Sequence, residues 1–333
     1  MALRRIRLLQ IDFVFFLMTV LLVLTSCLGL TQNFYPELTQ KENVSPSVHS
    51  CAGCHIDIYE EWKNSPHAKA FTSETYRERT NNYQYQQCLS CHTPDSVFSD
   101  TILARKERLE EGVSCIACHF IDGKFAGPVE STAVLLVHPV EVRTDFYRSS
   151  ALCGKCHEST YQEWLSVDSL GKKICQECHM TPVVRSSTQG DNLISNMIVS
   201  FEEQGHFKRH KFHLSEIENL EGGVEVLCSS KGLSSQEQEI HLTIQNHIPH
   251  RIPTGSFGHR KVVLDVRLLD EQGKEIETWS REYFRQMDQG FLPNSIQEEV
   301  FKTSIRTKQL EITLKRISPS ESISIYSEKI RLP

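Results

Sequence analysis

The sequence predicts an α+β multidomain protein, in which a mainly helical and loop region precedes an antiparallel β-sandwich. Two observations predict this division. Between residues 50 and 215 the pattern Cys-x-x-Cys-His occurs five times, and two copies continue into aromatic residues at helical spacing. From about residue 216 this pattern stops, and apolar residues alternate with polar ones as in half-buried strands. We expect four segments, at 1–26, 27–49, 50–215 and 216–333.

Five copies of C-x-x-C-H organise the 50–215 region, and we number them motifs 1 to 5. They are Cys51-Ala-Gly-Cys54-His55, Cys88-Leu-Ser-Cys91-His92, Cys115-Ile-Ala-Cys118-His119, Cys153-Gly-Lys-Cys156-His157 and Cys175-Gln-Glu-Cys178-His179. This pattern attaches c-type haem: the two cysteines form thioethers to the porphyrin, and the histidine binds the iron as proximal ligand. A random chain of this composition would contain about 0.02 such motifs. We therefore expect five covalently attached haems in a pentahaem cytochrome c domain.

Zinc sites and redox dithiols are the alternatives for these cysteines. Zinc combines C-x-x-C units in pairs and needs no histidine after each one, whereas the chain has five units. A thioredoxin-like site needs one C-x-x-C in a βαβ setting. Neither alternative explains five consecutive copies that each end in histidine. Because so many porphyrins share about 165 residues, they must supply much of the buried apolar surface, and short helices joined by loops are expected.

Composition limits the remaining possibilities. Ten of the 12 cysteines belong to the motifs, which leaves Cys27 and Cys228 and predicts no disulfide framework. The chain of 333 residues has a formal net charge of −6, which becomes −8 when the leader, with a net charge of +2, is removed. This acidity argues against nucleic-acid binding and favours basic or neutral redox partners.

Residues 1–26 have the pattern of an export signal. Three arginines near the start precede an apolar run from Phe13 to Leu24, which is short for a membrane span. The run ends in Leu24-Thr-Ser-Cys27, which resembles the bacterial lipobox, where the cysteine becomes the lipidated N-terminus. We expect a lipoprotein-type signal peptide, lipidation of Cys27, and anchoring on the periplasmic side of the inner or outer membrane. An ordinary leader and an uncleaved anchor extending through Leu30 remain alternatives.

Residues 27–49 are polar, contain two prolines and show no periodic pattern, which is typical of a tether. Beyond it, motifs 1 and 4 share a longer pattern, C-x-x-C-H-x-x-x-Y-x-E-W. The histidine, tyrosine and tryptophan at i, i+4 and i+7 lie on one helical face. Such an aromatic stripe usually belongs to a core, and here we expect it to pack against a porphyrin edge.

The region 216–333 contains the strand signals. Ile240, Leu242 and Ile244 alternate with polar residues, and 262–269 is a strong strand followed by a turn at 270–273. Further strands are expected at 300–305, 310–314 and 323–326. Short strands separated by regular turns predict a sandwich of about seven strands. Cys228, beside two apolar residues, is interpreted as a buried strand cysteine.

A second ligand on each iron must come from outside the motifs. Methionine is scarce beyond the leader, so histidine is the expected distal ligand, and two histidines give a low reduction potential. Ten histidines remain for five irons: His49, His67, His138, His206, His210, His213, His241, His247, His250 and His259. His67 follows Ser65-Pro66, which predicts a capped helix start that would hold the imidazole rigidly.

The chain resembles the multihaem cytochrome c-554 family and its relatives in several stretches. These are CAGCHIDIYEEWKNSPHAKAF, EGVSCIACH, SSALCGKCHESTYQEW and ICQECHM, together with NHIPHRIPTG and RKVVLDVRLLDEQGKEI, which are similar to a β-domain that often follows such haem domains. The type protein of the family carries four haems, so five is a departure. The wider group varies in haem number and does not share one reaction.

The resemblance implies distal ligands at three histidines. His67 matches the SxHA element of the family, His210 its HxF element, and His250 the histidine of its GHxxPTG element. Ligation by His250 would close the β-domain over a haem. His206 and His138 are weaker candidates that could equally be ordinary polar histidines. His213, His241 and His259 are interpreted as surface or packing residues, and His49 stays undecided.

Three functions follow from these features. The first is electron transfer by a membrane-tethered exported cytochrome, receiving electrons from redox partner proteins or quinone-linked donors through bis-His haems. The second is a multihaem oxidoreductase that acts on a small nitrogen or sulfur compound at one open iron. The third, a haem-based sensor, needs only one haem. The sequence marks no catalytic residue, so the carrier is preferred, on the likeness to the family more than on a site.

Overall fold

The computed structural model describes residues 18–20, 46–130, 138, 140–168, 172–190, 196, 199–200, 202–212, 222–255, 260–304, 306–318 and 321–332. The predicted signal peptide and the lipidation site Cys27 therefore lie almost wholly outside the described residues, as does most of the predicted tether. Within the described ranges, no helix is long and apolar enough to cross a bilayer.

Short helices joined by loops form the motif region, as the sequence predicts. Its helices are α1 (Val48–Ala52), α2 (Ile56–Lys63), α3 (Glu74–Arg79), α4 (Leu89–His92), α5 (Cys115–His119), α6 (Thr144–Tyr147), α7 (Ala151–Gly154), α8 (Glu158–Ser166) and α9 (Cys175–His179). The longest are α2 and α8, which follow the histidines of motifs 1 and 4. These two helices carry the aromatic stripe that the repeated pattern predicts.

Two small sheets, which sequence analysis did not predict, join the helices. The strands β1 (Phe120–Ile121), β2 (Lys124–Gly127) and β3 (Val140–Val142) form the first, with β1 antiparallel and β3 parallel to β2. In the second, β4 (Pro182–Arg185) pairs antiparallel with β5 (Gly205–Lys208). Strands of two to four residues carry little periodic signal, so the pairing comes from tertiary contacts.

Seven longer strands follow the motif region. They are β6 (Val224–Gly232), β7 (Gln238–Asn246), β8 (Lys261–Leu269), β9 (Glu275–Phe284), β10 (Ile296–Thr303), β11 (Gln309–Ser318) and β12 (Glu321–Arg331). They form two antiparallel sheets, ordered β10-β7-β6 and β12-β11-β8-β9. The prediction of about seven antiparallel strands is confirmed.

Alternation along β7 explains how the two sheets share one core. Ile240, Leu242 and Ile244 are fully buried, while the residues between them are half-buried. They meet buried side chains of the opposite sheet, such as Leu264 and Ile312. Cys228 lies in a strand, β6, as predicted, but it is only partly buried against this cluster.

The β8–β9 turn has the chemistry that its sequence predicts. The Asp270 carboxylate accepts hydrogen bonds from the amides of Gln272 and Lys274 at 2.9 and 2.8 Å, and Gly273 takes a positive φ of 81°. An aspartate that bonds the amide two residues on, followed by a glycine, closes a tight turn. The return strand β9 then begins at Glu275.

Candidate haem-binding sites

Four of the five motif histidines face a second imidazole from a distant part of the chain. The pairs are His55 with His138, His67 with His157, His119 with His210, and His179 with His250, and their ring centroids are 6.3, 6.2, 6.2 and 6.3 Å apart. An imidazole nitrogen binds a transition metal at about 2 Å, so two rings on opposite sides of one iron have centroids about 6 Å apart. The observed spacing fits an iron between the members of each pair.

Hydrogen bonds to the second ring nitrogen prepare these histidines as ligands. The Nδ1 atom of His55 lies 2.8 Å from the carbonyl oxygen of Ser187, and that of His119 lies 2.9 Å from that of Ala126. Among the facing histidines, His210 and His250 make the same contact, with carbonyls at 3.0 Å. A carbonyl only accepts, so Nδ1 carries the proton and donates it, leaving the Nε2 lone pair for a metal.

Burial keeps several of these rings in the neutral form that binds iron. It lowers the pKa of His67 to about 3, and the pKa values of His179 and His210 to about 4. Burial also lowers the pKa values of His119 and His250 below the ordinary range. Desolvation disfavours the imidazolium form, so at neutral pH each of these rings carries one proton and keeps one nitrogen lone pair for a metal.

His67 is fixed from its backbone by the segment before motif 3. Its carbonyl accepts a hydrogen bond from the Val113 amide at 2.9 Å. The preceding Gly112 has φ of 56°, and a Cβ there would lie 2.4 Å from the His67 carbonyl oxygen. Only glycine allows this approach. The predicted helix after Ser65 does not form; residues 65–70 are a series of turns, although the Ser65 hydroxyl still accepts from the Ala68 amide at 3.2 Å.

His210 is held by a buried carboxylate of α2. Glu61 accepts from the His210 amide at 2.9 Å, from the Arg209 guanidinium at 3.0 Å, and from both terminal nitrogens of Arg185 at 2.9 and 3.1 Å. Burial opposes ionisation of Glu61, but these hydrogen bonds and the two positive charges lower its pKa overall. A buried carboxylate with this many charged donors fixes the three segments that it joins.

His250 comes from the loop between β7 and β8, so the β-sandwich region completes the fourth histidine pair. The side chain of Asn246, fully buried, donates to the His250 carbonyl at 3.0 Å and to that of Phe291 at 3.0 Å. Beyond His250, the hydroxyl of Thr254 lies 2.7 Å from that of Thr160 in α8. The loop is therefore tied to both regions of the chain.

Motif 2 differs from the others. The His92 Nδ1 atom donates to the Ala70 carbonyl at 2.6 Å, so this ring is also prepared as a ligand. Among the described residues, however, no second histidine faces it. Its ring stacks on Tyr76, with centroids 4.1 Å apart, and Tyr76 contacts Phe71 and Tyr83. Tyr76 is buried, and burial raises its pKa to about 12, so it remains protonated at neutral pH.

The structure separates the remaining histidine candidates. His138, a weaker candidate from sequence, has the same spacing to a motif histidine as His67, His210 and His250 have. His206, the other weak candidate, lies exposed in β5, and no motif histidine ring within the described chain faces it. His241 and His247 contact glutamates at 2.9 and 3.3 Å. The exposed His49 approaches the Tyr59 hydroxyl at 3.4 Å, and His213 and His259 lie outside the described residues.

The motifs lie next to one another in an order that differs from the sequence. The Cys51 thiol of motif 1 lies beside Cys115 of motif 3, Cys91 of motif 2 beside Cys156 of motif 4, and Cys153 of motif 4 beside Cys175 of motif 5. Cys118 of motif 3 is close enough to both motif 4 thiols to raise their pKa values. Motif 4 thus has three neighbours, and motifs 1, 2 and 5 are the ends of a branched series.

Comparison with known proteins finds similarity to multihaem cytochromes. Residues 50–120 match the family model of cytochrome c554 and c-prime. The penta-haem cytochrome c552 of Thermochromatium tepidum is similar in structure, with a TM-score of 0.58 and 18% identity over 86% of this chain and 98% of that one. No protein of curated function matches the sequence.

Two further solved structures have much lower similarity. A domain of the outer membrane lipoprotein Omp28 from Porphyromonas gingivalis has a TM-score of 0.21 and 6% identity, over 33% of this chain and 88% of that one. IrmA from Escherichia coli has a TM-score of 0.18 and 14% identity, over 30% of this chain and 85% of that one. The C-x-x-C-H motifs, the family match over motifs 1 to 3 and the similarity to a penta-haem cytochrome lead to one conclusion: the chain is a multihaem c-type cytochrome, and this class supports a function in electron transfer or haem-based redox chemistry.

Proposed function

We propose that this protein is a membrane-tethered electron carrier that binds five haem c groups, four of them with two histidine ligands. The observation that carries the proposal is the set of four histidine pairs with ring centroids 6.2 to 6.3 Å apart. The proximal ligands are His55, His92, His119, His157 and His179. The distal ligands are His138 opposite His55, His67 opposite His157, His210 opposite His119, and His250 opposite His179.

Haem supplies one-electron chemistry at its iron, and the chain determines where that chemistry is available. An iron held between the two histidines of a pair would have no free position for a substrate, which would favour electron transfer at low potential. The hydrogen bonds of the Nδ1 atoms to backbone carbonyls would orient the imidazoles as ligands. The adjacent motifs would then provide a continuous route, because motif 4 lies beside motifs 2 and 5 and near motif 3, and motif 3 lies beside motif 1.

Localisation and partners belong to the same proposal. The Leu-Thr-Ser-Cys27 ending of the leader supports a lipid anchor at Cys27, on the periplasmic side of the inner or outer membrane. An acidic mature chain favours basic or neutral redox partners, and quinone-linked donors are the expected source of electrons. A five-haem series reaching several ends would let the donor and acceptor dock at different positions.

A second function is favoured by one observation at motif 2. His92 faces no histidine among the described residues, so the iron it binds has a candidate open position. This site would allow redox chemistry on a small nitrogen or sulfur compound such as nitrite or hydroxylamine. Tyr76 stacks on His92, and Phe71 and Tyr83 pack against Tyr76; we assign these three residues no catalytic role.

Carbon monoxide binding to the reduced protein tests both functions. The carrier proposal predicts that the four irons with facing histidines do not bind it, whereas two or more bound molecules per chain would contradict it. Turnover of nitrite or hydroxylamine that is lost in His92→Ala would establish the second function. Binding at motif 2 without turnover would leave the carrier as the function of the protein.

A further inference from the structure

The pattern C-x-x-C-H-x-x-x-Y-x-E-W occurs twice, and both copies end in a glutamate followed by a tryptophan. Glu61 and Trp62 follow motif 1 at the end of α2, and Glu163 and Trp164 follow motif 4 in α8. We call these two pairs the Glu-Trp braces. Their side chains do not bind back to their own motif. Each brace reaches a different motif, and the two do so in matching ways.

The tryptophans contact the segment that leads into another motif. Trp62 donates its indole N–H to the Val113 carbonyl at 2.8 Å, and Val113 lies two residues before Cys115 of motif 3. Trp164 donates to the Lys173 carbonyl at 2.9 Å, and Lys173 lies two residues before Cys175 of motif 5. The position two residues before the first cysteine is the same in both copies.

The glutamates contact the segment that carries the facing histidine of that same motif. Glu61 accepts from the His210 amide at 2.9 Å, and His210 faces His119 of motif 3. Glu163 accepts from the Arg251 amide at 2.9 Å, and Arg251 follows His250, which faces His179 of motif 5.

An arginine beside each facing histidine completes the contact. The Arg209 guanidinium lies 3.0 Å from Glu61, and that of Arg251 lies 3.7 Å from Glu163.

The motifs joined by a brace are also neighbours through their cysteines. Cys51 of motif 1 lies beside Cys115 of motif 3, and Cys153 of motif 4 lies beside Cys175 of motif 5. Each brace therefore contacts its neighbouring motif in two places. The tryptophan contacts the segment before the motif's first cysteine, and the glutamate contacts the segment of the histidine that faces the motif. The same three relationships occur in both copies, although the segments that carry His210 and His250 are unrelated in structure.

We propose that the Glu-Trp braces are positioning residues for the neighbouring iron, so that Glu61 fixes His210 for motif 3 and Glu163 fixes His250 for motif 5. This rests on the two-histidine coordination proposed above. The tryptophan sets the distance to the motif, and the charged glutamate holds the backbone of the distal ligand through an amide and an arginine. A carboxylate does this better than an amide, because hydrogen bonds to an ionised acceptor are about twice as strong.

The test compares carbon monoxide binding and low-spin electron paramagnetic resonance signals of purified holoproteins. His210→Ala and His250→Ala supply the reference spectra for an opened iron at motifs 3 and 5, and His138→Ala and His67→Ala those at motifs 1 and 4. Glu61→Gln and Glu163→Gln are the test variants. The matched controls are Glu60→Gln in α2 and Glu158→Gln in α8, both exposed in the structure.

We expect Glu163→Gln to raise the rate of carbon monoxide binding at the motif 5 iron about tenfold or more, because changing a residue that orients a metal ligand typically costs about 10- to 100-fold in metal affinity or activity. Glu61→Gln should do the same at motif 3, and the controls should match the wild type. Because Glu61 is buried with two arginines, Glu163→Gln decides the question if Glu61→Gln gives no holoprotein.

The proposal for the Glu-Trp braces is wrong if both test variants give the same spectra as their controls. It is also wrong if their spectra change as those of His138→Ala or His67→Ala do, because these variants open the irons of motifs 1 and 4. If the histidine variants themselves leave the spectra unchanged, it is the two-histidine coordination that fails. If those variants open their irons and the glutamine variants do not, only the braces fail.

Discussion

The imidazole of His250, in the loop between two strands of the β-sandwich, faces that of His179 in motif 5 with 6.3 Å between the ring centroids. Because Asn246 and Thr254 anchor the same loop on either side, the histidine cannot move without disturbing both regions. The β-sandwich is thus part of a candidate haem site. Several measurable consequences arise from this and from the other histidine pairs.

His250→Ala should convert one low-spin iron to high spin and let it bind carbon monoxide in the reduced state, because one axial position loses its ligand. The absorption spectrum before and after carbon monoxide addition measures this. His247→Ala is the matched control, since His247 lies three residues earlier in the same loop region and its imidazole contacts Glu225 at 3.3 Å. An unchanged low-spin spectrum in His250→Ala would remove this residue from the ligands.

His138→Ala should likewise open the iron of motif 1, whereas His206→Ala should leave all irons as they are. Both residues are equal candidates from sequence, but His138 faces His55 at 6.3 Å and His206 is exposed. Electron paramagnetic resonance of the two oxidised variants compares them directly. Loss of a low-spin signal in His206→Ala alone would reverse the assignment.

The holoprotein should carry five covalent haems, because all five C-x-x-C-H motifs are intact. Mass spectrometry of the intact chain measures the number. Replacing both Cys88 and Cys91 with alanine should lower it by one, while Cys228→Ser should keep it at five, since Cys228 lies in β6 and belongs to no C-x-x-C-H motif. Four or fewer haems on the wild-type chain would contradict the count.

Reduced wild-type protein should bind at most one carbon monoxide per chain, at the iron of motif 2, because His92 faces no histidine among the described residues. Titration followed by absorption gives the stoichiometry. Absence of binding would mean that a residue outside the described ranges, such as His213 or His259, closes this position. That result would support a carrier with all five irons closed.

Cys27→Ala should release the protein in soluble form if this cysteine carries the lipid anchor. Membrane fractionation with haem staining measures the distribution, and Cys228→Ser provides a cysteine control that should stay in the membrane. A Cys27→Ala protein that remains in the membrane with its leader attached would instead indicate an uncleaved anchor.

The β-sandwich was largely predictable because its signal is local. The alternation of Ile240, Leu242 and Ile244 gives the buried face of β7 directly, and the Asp270–Gly273 turn gives the start of β9. The five C-x-x-C-H motifs were equally clear, since each contains both attachment cysteines and the proximal histidine within five consecutive residues. Local sequence was less reliable after Ser65, where a cap-like hydrogen bond forms but packing against motif 3 gives turns in place of a helix.

The facing histidines were harder to predict because their role depends on contacts between distant segments. No residue near His138 distinguishes it from His206, yet only His138 faces a motif histidine among the described rings. The requirement for Gly112 is also invisible locally, since it depends on the His67 carbonyl. The repeated Glu-Trp ending was a usable signal: two identical endings at matched positions suggest a shared contact, although not its target.

The positions of the facing histidines along the chain also bear on biogenesis. His138, His210 and His250 all follow the motifs whose histidines they face, whereas His67 precedes motif 4. A polypeptide emerging from the translocon amino terminus first would therefore present motifs 1, 3 and 5 to the attachment machinery before their partners arrive. The haem site of motif 5 would be the last of these to be completed, because His250 lies in the loop that follows β7. Quality control of the finished cytochrome would thus extend to its β-sandwich region, which contains no C-x-x-C-H motif.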